Sequence, residues 1–290
     1  MKALASAVGI VVLMVSAPAR AAQPVSIVAA ENFYGDVARQ IGGNAVKVTS
    51  ILSNPDQDPH LFEASPSVAR SLAGARIVVY NGLDYDPWME KLLSASKAAD
   101  RKEIVVSDLI GKKLGDNPHI WYDANTMVAF AKALTDALDT VDPTDKSAYD
   151  QRLAAFTASL KPIQDKIAEL KDRVNGTPAT ATEPVFGYMF GGLGMDVRDF
   201  DFQLAVMNNT EPSASEVARF EDDLKNHRVK LLVYNSQASD PLAEKMLKLA
   251  RATKIPIVGV SETEPPGTTY QAWMTGALEA VDKALPKLTQ

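Results

Sequence analysis

Short runs of β-branched and apolar residues alternate with amphipathic helical patterns along both halves of this 290-residue chain. Strands that alternate with helices in this way are typical of βαβ units, which build parallel sheets. A mature chain of this length is long for a single core, so the pattern predicts an α/β protein with two parallel-sheet lobes. The clearest strand patterns are VSIVAA (25–30), AVKVTSIL (45–52), RIVVYNG (76–82), KEIVVSDL (102–109), VKLLVYN (229–235) and IPIVGV (255–260). Between the fourth and fifth of these segments, we predict a strand near 178–182, a short helix and a strand over 195–203.

A single apolar stripe lies between the two halves. Apolar residues recur in steps of four and three at positions 149, 153, 156, 160, 163, 167, 170 and 174. This spacing predicts one long connecting helix of roughly 45 Å, ended by Asn175-Gly176 and kinked at Pro162. The alternative is a pair of helices that meet at Pro162. The predicted domains are therefore a signal peptide (1–21), an N-terminal lobe (22–142), the connector (143–175) and a C-terminal lobe (176–290).

The first residues have the features of an exported protein. Lys2 precedes an apolar run, and Ala19-Arg20-Ala21 matches the small-residue pattern of a signal-peptide cleavage site. The run is shorter than the roughly 20 residues of a membrane-spanning helix, although a short N-terminal anchor is the alternative interpretation. Because the sequence has no cysteine, no lipid-anchoring cysteine is available. We therefore expect a soluble periplasmic protein.

Composition excludes several classes of function. The absence of cysteine removes thiolate metal sites, disulfides and cysteine nucleophiles, so any metal must be held by His, Asp, Glu, Asn or backbone oxygen. The formal net charge is −6, and loss of Lys2 and Arg20 with the signal peptide makes it −8. An acidic chain without clustered Lys and Arg is a poor nucleic-acid binder. It is a reasonable carrier of cations.

Two of the three histidines stand in the same local setting. His60 and His119 each follow a proline and precede an apolar residue and an aromatic one, in DPHLF and NPHIW. Each follows a predicted strand of the first lobe, so both lie at one edge of that sheet, where open parallel sheets bind ligands. The prolines stiffen these turns before any ligand arrives. A structural imidazole is the alternative for each, and we interpret the third, His227, as capping a helix.

Two carboxylates occupy comparable positions in the second lobe. Glu183 follows a predicted strand and precedes Pro184, and Glu262 lies just beyond the last strand in the loop SETEPPG. Both would face the histidines of the first lobe and could complete a metal site with them. A helix N-cap for Glu183 and simple solvation for Glu262 are the alternatives.

At these residues the chain resembles the solute-binding proteins of ABC importers for manganese, zinc or iron, a family that includes adhesin-type lipoproteins. The resemblance extends over nearly the whole mature chain. It is carried by AAENFYGDVARQIGGNAVKVTSIL, DPHLFEASPSVARSLAGARIVVYNGLDYDPWMEKLL, NPHIWYDANTMVAFAKAL, EPVFGYMFGGLG and EPSASEVARFEDDLK. It implies two lobes joined by a long helix, with a metal cleft between them.

The resemblance also implies a ligand set. His60 and His119 match the family's two ligands from the first lobe, and Glu183 matches the third, which is histidine in many zinc-type members. The fourth family ligand is an aspartate after the last strand, and here Glu262 is the nearest match, with Glu264 as the alternative. Asn235 is a further departure, since the family usually has glutamate at that position.

The function implied is the periplasmic substrate-binding component of an ABC importer, which captures one divalent metal and delivers it to a membrane permease. The two glutamates favour Mn²⁺ or Fe²⁺ as cargo, and Zn²⁺ remains possible because it binds more tightly than Mn²⁺ to most such sites. We expect a monomer that is not an enzyme. The alternative from another class is a secreted metal-dependent hydrolase, but HExxH and GxSxG motifs are absent. Nothing in the sequence beyond the family's name supports an adhesion role.

Overall fold

The computed structural model describes residues 23–54, 62, 65–238 and 240–285. The predicted signal peptide and His60 lie outside these residues. Two sheets of four parallel strands are present, which confirms the predicted fold class. The first sheet has the order β2-β1-β3-β4 and the second the order β6-β5-β7-β8. The strands are β1 (Val25–Glu31), β2 (Val46–Leu52), β3 (Ile77–Tyr80), β4 (Lys102–Val105), β5 (Pro178–Ala181), β6 (Asp196–Val197), β7 (Leu231–Asn235) and β8 (Ile257–Val260).

Helices cover both faces of the N-terminal sheet. The central strand β3 is buried at every position, and β1 at nearly every one, as expected for strands enclosed on both faces. One core cluster includes Phe33 and Phe130 on one side of the sheet, and another includes Leu72 and Met89 on the opposite side. The helices of this lobe are α1 (Asn32–Gly42), α2 (Pro66–Ala73), α3 (Pro87–Ala95), α4 (Val106–Leu109) and α5 (Ala124–Val141).

The connector consists of two helices, α6 (Lys146–Ser159) and α7 (Lys161–Val174), separated at Leu160. This corrects the prediction of one long helix and matches the alternative of two helices. Pro162, at the start of α7, cannot donate a backbone hydrogen bond and crowds the carbonyl four residues earlier. The apolar stripe itself remains on one side, since Tyr149, Phe156, Ile163 and Leu170 are all buried.

The C-terminal lobe contains α8 (Gly187–Leu193), α9 (Phe200–Met207), α10 (Ala214–Lys225), α11 (Pro241–Ala252) and α12 (Tyr270–Ala284). The prediction of a strand over 195–203 was wrong beyond Val197. Asp199 adopts a left-handed conformation (φ 57°), which turns the chain into α9. Phe202 and Val206 then lie one helical turn apart on the buried face. Likewise, the strand predicted over 102–109 ends at Val105 and continues as α4.

One apolar core passes through the junction between the lobes. The cluster that contains Phe33 of α1 also contains Phe186 and Tyr270 of the second lobe. The ring of Trp121 stacks on Phe33 with centroids 4.6 Å apart, and the ring of Tyr122 meets Phe186 edge-on at 5.3 Å. A shared core of this kind resists wide opening of the cleft. None of the helices in the described part of the chain combines the length and apolar character needed to cross a membrane.

The strand order places polar residues at the centre of each sheet edge. In both sheets the chain reverses its direction of winding between the two middle strands, and ligands bind outside the carboxyl ends of such strand pairs. In the first sheet these ends carry Glu31 and Asn81. In the second they carry Glu183 and Asn235. The two edges contribute to one polar region between the lobes.

Candidate metal centre

His119 is fully buried at the edge of the first sheet, just before a short 3-10 helix (Ile120–Tyr122). The side chain of Asn117 fixes the orientation of the imidazole. Nδ2 of Asn117 donates to the carbonyl of Pro184 at 2.7 Å, so Oδ1 of Asn117 faces His119. This oxygen lies 2.7 Å from the ring Nδ1 of His119 and 3.0 Å from its backbone N–H. Nδ1 is therefore the protonated nitrogen, and Nε2 is available as a metal ligand.

Glu183 and Glu262 reach the same place from the second lobe. Oε2 of Glu262 lies 3.5 Å from Nε2 of His119. Both carboxylates contact the side-chain amide of one residue, Asn235. The four side chains are nearly inaccessible to solvent, with exposed fractions of 0% for His119, 1% for Glu262 and 5% for Glu183 and Asn235. The structure thus brings together three of the four predicted site residues.

The donor set suits a dication. Imidazole nitrogen and carboxylate oxygen are ligands for Mn²⁺, Fe²⁺ and Zn²⁺, and two carboxylates would balance the charge of the cation. Within the described ranges, no group of three His, Asp or Glu side chains is arranged so that it could hold a metal ion. The amide of Asn235 separates Glu183 from Glu262, and the predicted fourth ligand, His60, lies outside those ranges.

Aromatic side chains form the wall behind the site. The ring of Tyr85 lies edge-on to His119 at 5.9 Å, and the ring of Trp121 does so at 5.2 Å. Burial raises the pKa of Tyr85 well above its usual value, and the nearby charge of Glu262 adds to the effect. The phenol therefore stays neutral and can donate to the carboxylate. An apolar wall of this kind strengthens electrostatic attraction between a cation and the carboxylates.

The loop that carries Glu262 is held by both lobes. Asn32, at the start of α1, donates from Nδ2 to the carbonyl of Glu264 at 2.7 Å and accepts the Glu264 N–H at 3.0 Å. Tyr122 donates to the carbonyl of Ser261 at 2.8 Å. From the second lobe, Oε1 of Gln237 accepts the N–H of Glu262 at 2.6 Å. The position of Glu262 is therefore fixed relative to His119 before a metal binds.

We expect Asn32→Ala to loosen this loop. The substitution leaves two backbone groups of Glu264 without their partner, and Glu264 is 6% exposed. The free energy of unfolding should fall by about 2 kcal/mol, and metal affinity should fall with it because Glu262 is less well ordered. Chemical denaturation and metal titration measure the two effects. Asn208→Ala, at an exposed position, is the control, and equal behaviour of the two variants would contradict the role of Asn32.

The alternative ligand Glu264 points elsewhere. Burial is the main cause that raises its pKa to about 8, with a further contribution from Asp36 and an opposing one from Arg39. These neighbours belong to α1, and no contact places Glu264 beside His119. The geometry therefore favours Glu262 over Glu264. His227 is exposed just beyond α10, in a left-handed conformation (φ 52°), and is therefore not part of the buried site.

A second pair of carboxyl groups is buried at the edge of the first sheet. Glu31 ends β1 and is 0% exposed, and Asp86 is 1% exposed. Asp86 accepts hydrogen bonds from the backbone N–H groups of Asn81 (2.6 Å) and Gly82 (2.9 Å). Burial raises the pKa of Asp86 to about 6 and raises the pKa of Glu31 well above its usual value. Burial and the neighbouring charge of Asp86 both favour the protonated form of Glu31. Sequence analysis missed this pair.

The chain matches a known protein family over most of its length. Residues 27–284 match the model of the family described as zinc-uptake complex component A, periplasmic. The chain belongs to this family.

Individual relatives cover nearly the same length. The manganese ABC transporter substrate-binding lipoprotein PsaA of Streptococcus mitis is 25% identical over 93% of this chain and 92% of its own length. The iron ABC transporter substrate-binding lipoprotein MtsA of Streptococcus pyogenes serotype M1 is 22% identical over 90% and 89%. Among solved structures, the periplasmic zinc-binding protein TroA of Treponema pallidum has a TM-score of 0.78 at 19% identity, covering 91% of this chain and all of TroA.

Membership of the zinc-uptake family confirms the predicted function class, the substrate-binding component of a metal ABC importer. The relatives are transport proteins, and nothing in the comparisons supports the hydrolase alternative. The expectation of a protein without a lipid anchor is not borne out, because the curated relatives are lipoproteins.

Proposed function

We propose that this member of the zinc-uptake family binds one divalent transition metal between its lobes, with His60, His119, Glu183 and Glu262 as ligands. The observation that carries the proposal is the convergence of His119 with two carboxylates from the opposite lobe in a buried site, with Nε2 and Oε2 3.5 Å apart. Because the imidazole comes from one lobe and the carboxylates from the other, the site is complete only when the two lobes are packed together.

The identity of the bound metal follows from the types of ligand atom in the site. Two carboxylates favour Mn²⁺ or Fe²⁺ more than a site with three imidazoles would, while Zn²⁺ has the higher intrinsic affinity for most nitrogen and oxygen sites. Relatives named for manganese and for iron, and a fold neighbour named for zinc, support this range. The protein acts as a monomer in the periplasm and passes the ion to the permease of an ABC importer. It catalyses no reaction.

The test is the metal content of protein purified without chelator. We expect one metal ion per chain, and competitive titration of Mn²⁺, Fe²⁺ and Zn²⁺ at a single site. Affinity should fall as the pH is lowered, because protons compete with the metal for the imidazole and carboxylate ligands. Binding of several ions with no dependence on pH would contradict a single buried site. Native mass spectrometry reports the stoichiometry directly, together with the oligomeric state.

A further inference from the structure

The amide of Asn235 holds both carboxylates of the site at once. Asn235 ends β7, and its Nδ2 donates to Oε2 of Glu183 at 2.9 Å and to Oε1 of Glu262 at 2.6 Å. An amide NH₂ group has two hydrogens, so one is directed to each carboxylate. Hydrogen bonds to ionised acceptors are the stronger kind, and these are buried.

The orientation of this amide is fixed by its surroundings. Oδ1 of Asn235 accepts the backbone N–H of Gln237 at 3.0 Å, so Nδ2 must face the carboxylates. The backbone N–H of Asn235 donates to Oγ1 of Thr182 at 3.2 Å, which joins the ends of β5 and β7 next to Glu183. A flipped amide would bring Oδ1 towards two carboxylates and lose the bond to Gln237. The side chain therefore has one acceptable arrangement.

We propose that Asn235 determines metal specificity by keeping each carboxylate to a single ligating oxygen. This inference rests on the metal site proposed above. Oε2 of Glu183 and Oε1 of Glu262 are occupied by the amide, while Oε2 of Glu262 is the oxygen that faces Nε2 of His119. Asn235 is a positioning residue, since it acts on the ion only through the two glutamates.

The consequence concerns the number of ligands. A carboxylate that is kept to one oxygen gives the ion one donor in place of two, and a smaller number of donors favours Zn²⁺, which is usually bound by four. Mn²⁺ favours six donors that are mainly oxygen, and a carboxylate that binds through both oxygens supplies an additional one. By occupying one oxygen of each glutamate, Asn235 opposes the preference for Mn²⁺ that the two glutamates confer.

The decisive variant is Asn235→Ala, with dissociation constants for Zn²⁺ and Mn²⁺ measured by competition against a chelating dye. Removing the amide frees one oxygen on each carboxylate. We expect the affinity for Mn²⁺ relative to Zn²⁺ to rise by about tenfold, the equivalent of one charge-assisted hydrogen bond. Asn208→Ala, at an exposed position, should leave both constants unchanged.

The variant Gln237→Ala distinguishes a change in metal specificity from a loss of affinity caused by a less ordered site. Oε1 of Gln237 accepts the N–H groups of Glu262 (2.6 Å) and Thr263 (3.0 Å). Loss of this side chain should therefore lower the affinity for both metals in the same proportion. If Asn235→Ala also weakens both metals equally, or changes neither, Asn235 has no role in specificity and the inference is overturned. If the unsubstituted protein binds no metal at its lobe junction, the proposed function itself fails. These two failures are therefore distinguishable.

A spectroscopic test does not depend on the folding of any variant. Co²⁺ absorbs visible light strongly in a four-coordinate site and weakly in a six-coordinate one. We expect the strong four-coordinate spectrum from the unsubstituted protein loaded with Co²⁺, and a weaker spectrum from Asn235→Ala. A weak six-coordinate spectrum from the unsubstituted protein would overturn the inference, whatever the variant does.

Discussion

Replacement of His119 by alanine is expected to weaken metal binding by at least about 100-fold. Among the described residues, this imidazole is the proposed ligand from the first lobe. In metal proteins, even the loss of a group that only orients a ligand lowers the affinity by roughly 10- to 100-fold. Isothermal titration with Zn²⁺ and Mn²⁺ measures the loss.

The matched control is His227→Ala, which removes another histidine at an exposed position beyond α10. It should bind metal as the unsubstituted chain does. Because His119 is fully buried, its replacement also leaves a cavity, so circular dichroism and thermal unfolding without metal must show that the variant is folded. A folded His119→Ala protein with undiminished affinity would refute the proposed site.

The second large effect is expected from Glu31→Gln, through the dependence of stability on pH. The pKa of Glu31 in the folded protein is raised well above its ordinary value, mainly by burial and then by the charge of Asp86. The folded protein therefore keeps a proton that the unfolded chain releases above a pH of about 4.5. The contribution of Glu31 to stability is complete below that pH and is lost as the pH rises towards the folded-state pKa, by up to about 1.4 kcal/mol per pH unit.

Glutamine has nearly the shape of a protonated glutamate and cannot ionise. The free energy of unfolding of Glu31→Gln should therefore exceed that of the unsubstituted protein by an amount that grows as the pH rises from 5 to 7. The gradient due to Asp86, whose pKa is raised to about 6, remains in both proteins. Urea denaturation over this pH range is the measurement. Glu279→Gln, on the exposed face of α12, should show no such change, and parallel curves for Glu31→Gln would contradict the assignment.

Fold and site were predictable to different degrees. The central strands are enclosed by helices and therefore read as continuous apolar runs, which made both sheets recognisable. The segment 195–203 was misassigned because MDVRDFDFQ alternates like a strand, whereas the turn at Asp199 makes its second half helical. The connector was divided by Pro162, although its apolar stripe is continuous.

Local sequence patterns identified residues of the site but not the residues that they contact. His119 stood out because of its Pro-His turn, and Glu183 and Glu262 because each follows a strand. Glu31 and Asp86 gave no such signal, since an acidic residue after a strand ordinarily lies in solvent. Only their common burial between β1 and α3 makes them a pair with raised pKa values.

The sequence by itself determined the class of fold, two parallel α/β lobes with a helical connector, because hydrophobic periodicity is a local property that survives without knowledge of contacts. It also determined which residue types could bind a cation in a chain without cysteine. Only the tertiary structure decided that Glu262 rather than Glu264 faces His119, and that one amide, Asn235, donates to both carboxylates. Those contacts join residues up to 143 positions apart. Their geometry depends on the packing of the two lobes around a shared core, which no local pattern encodes.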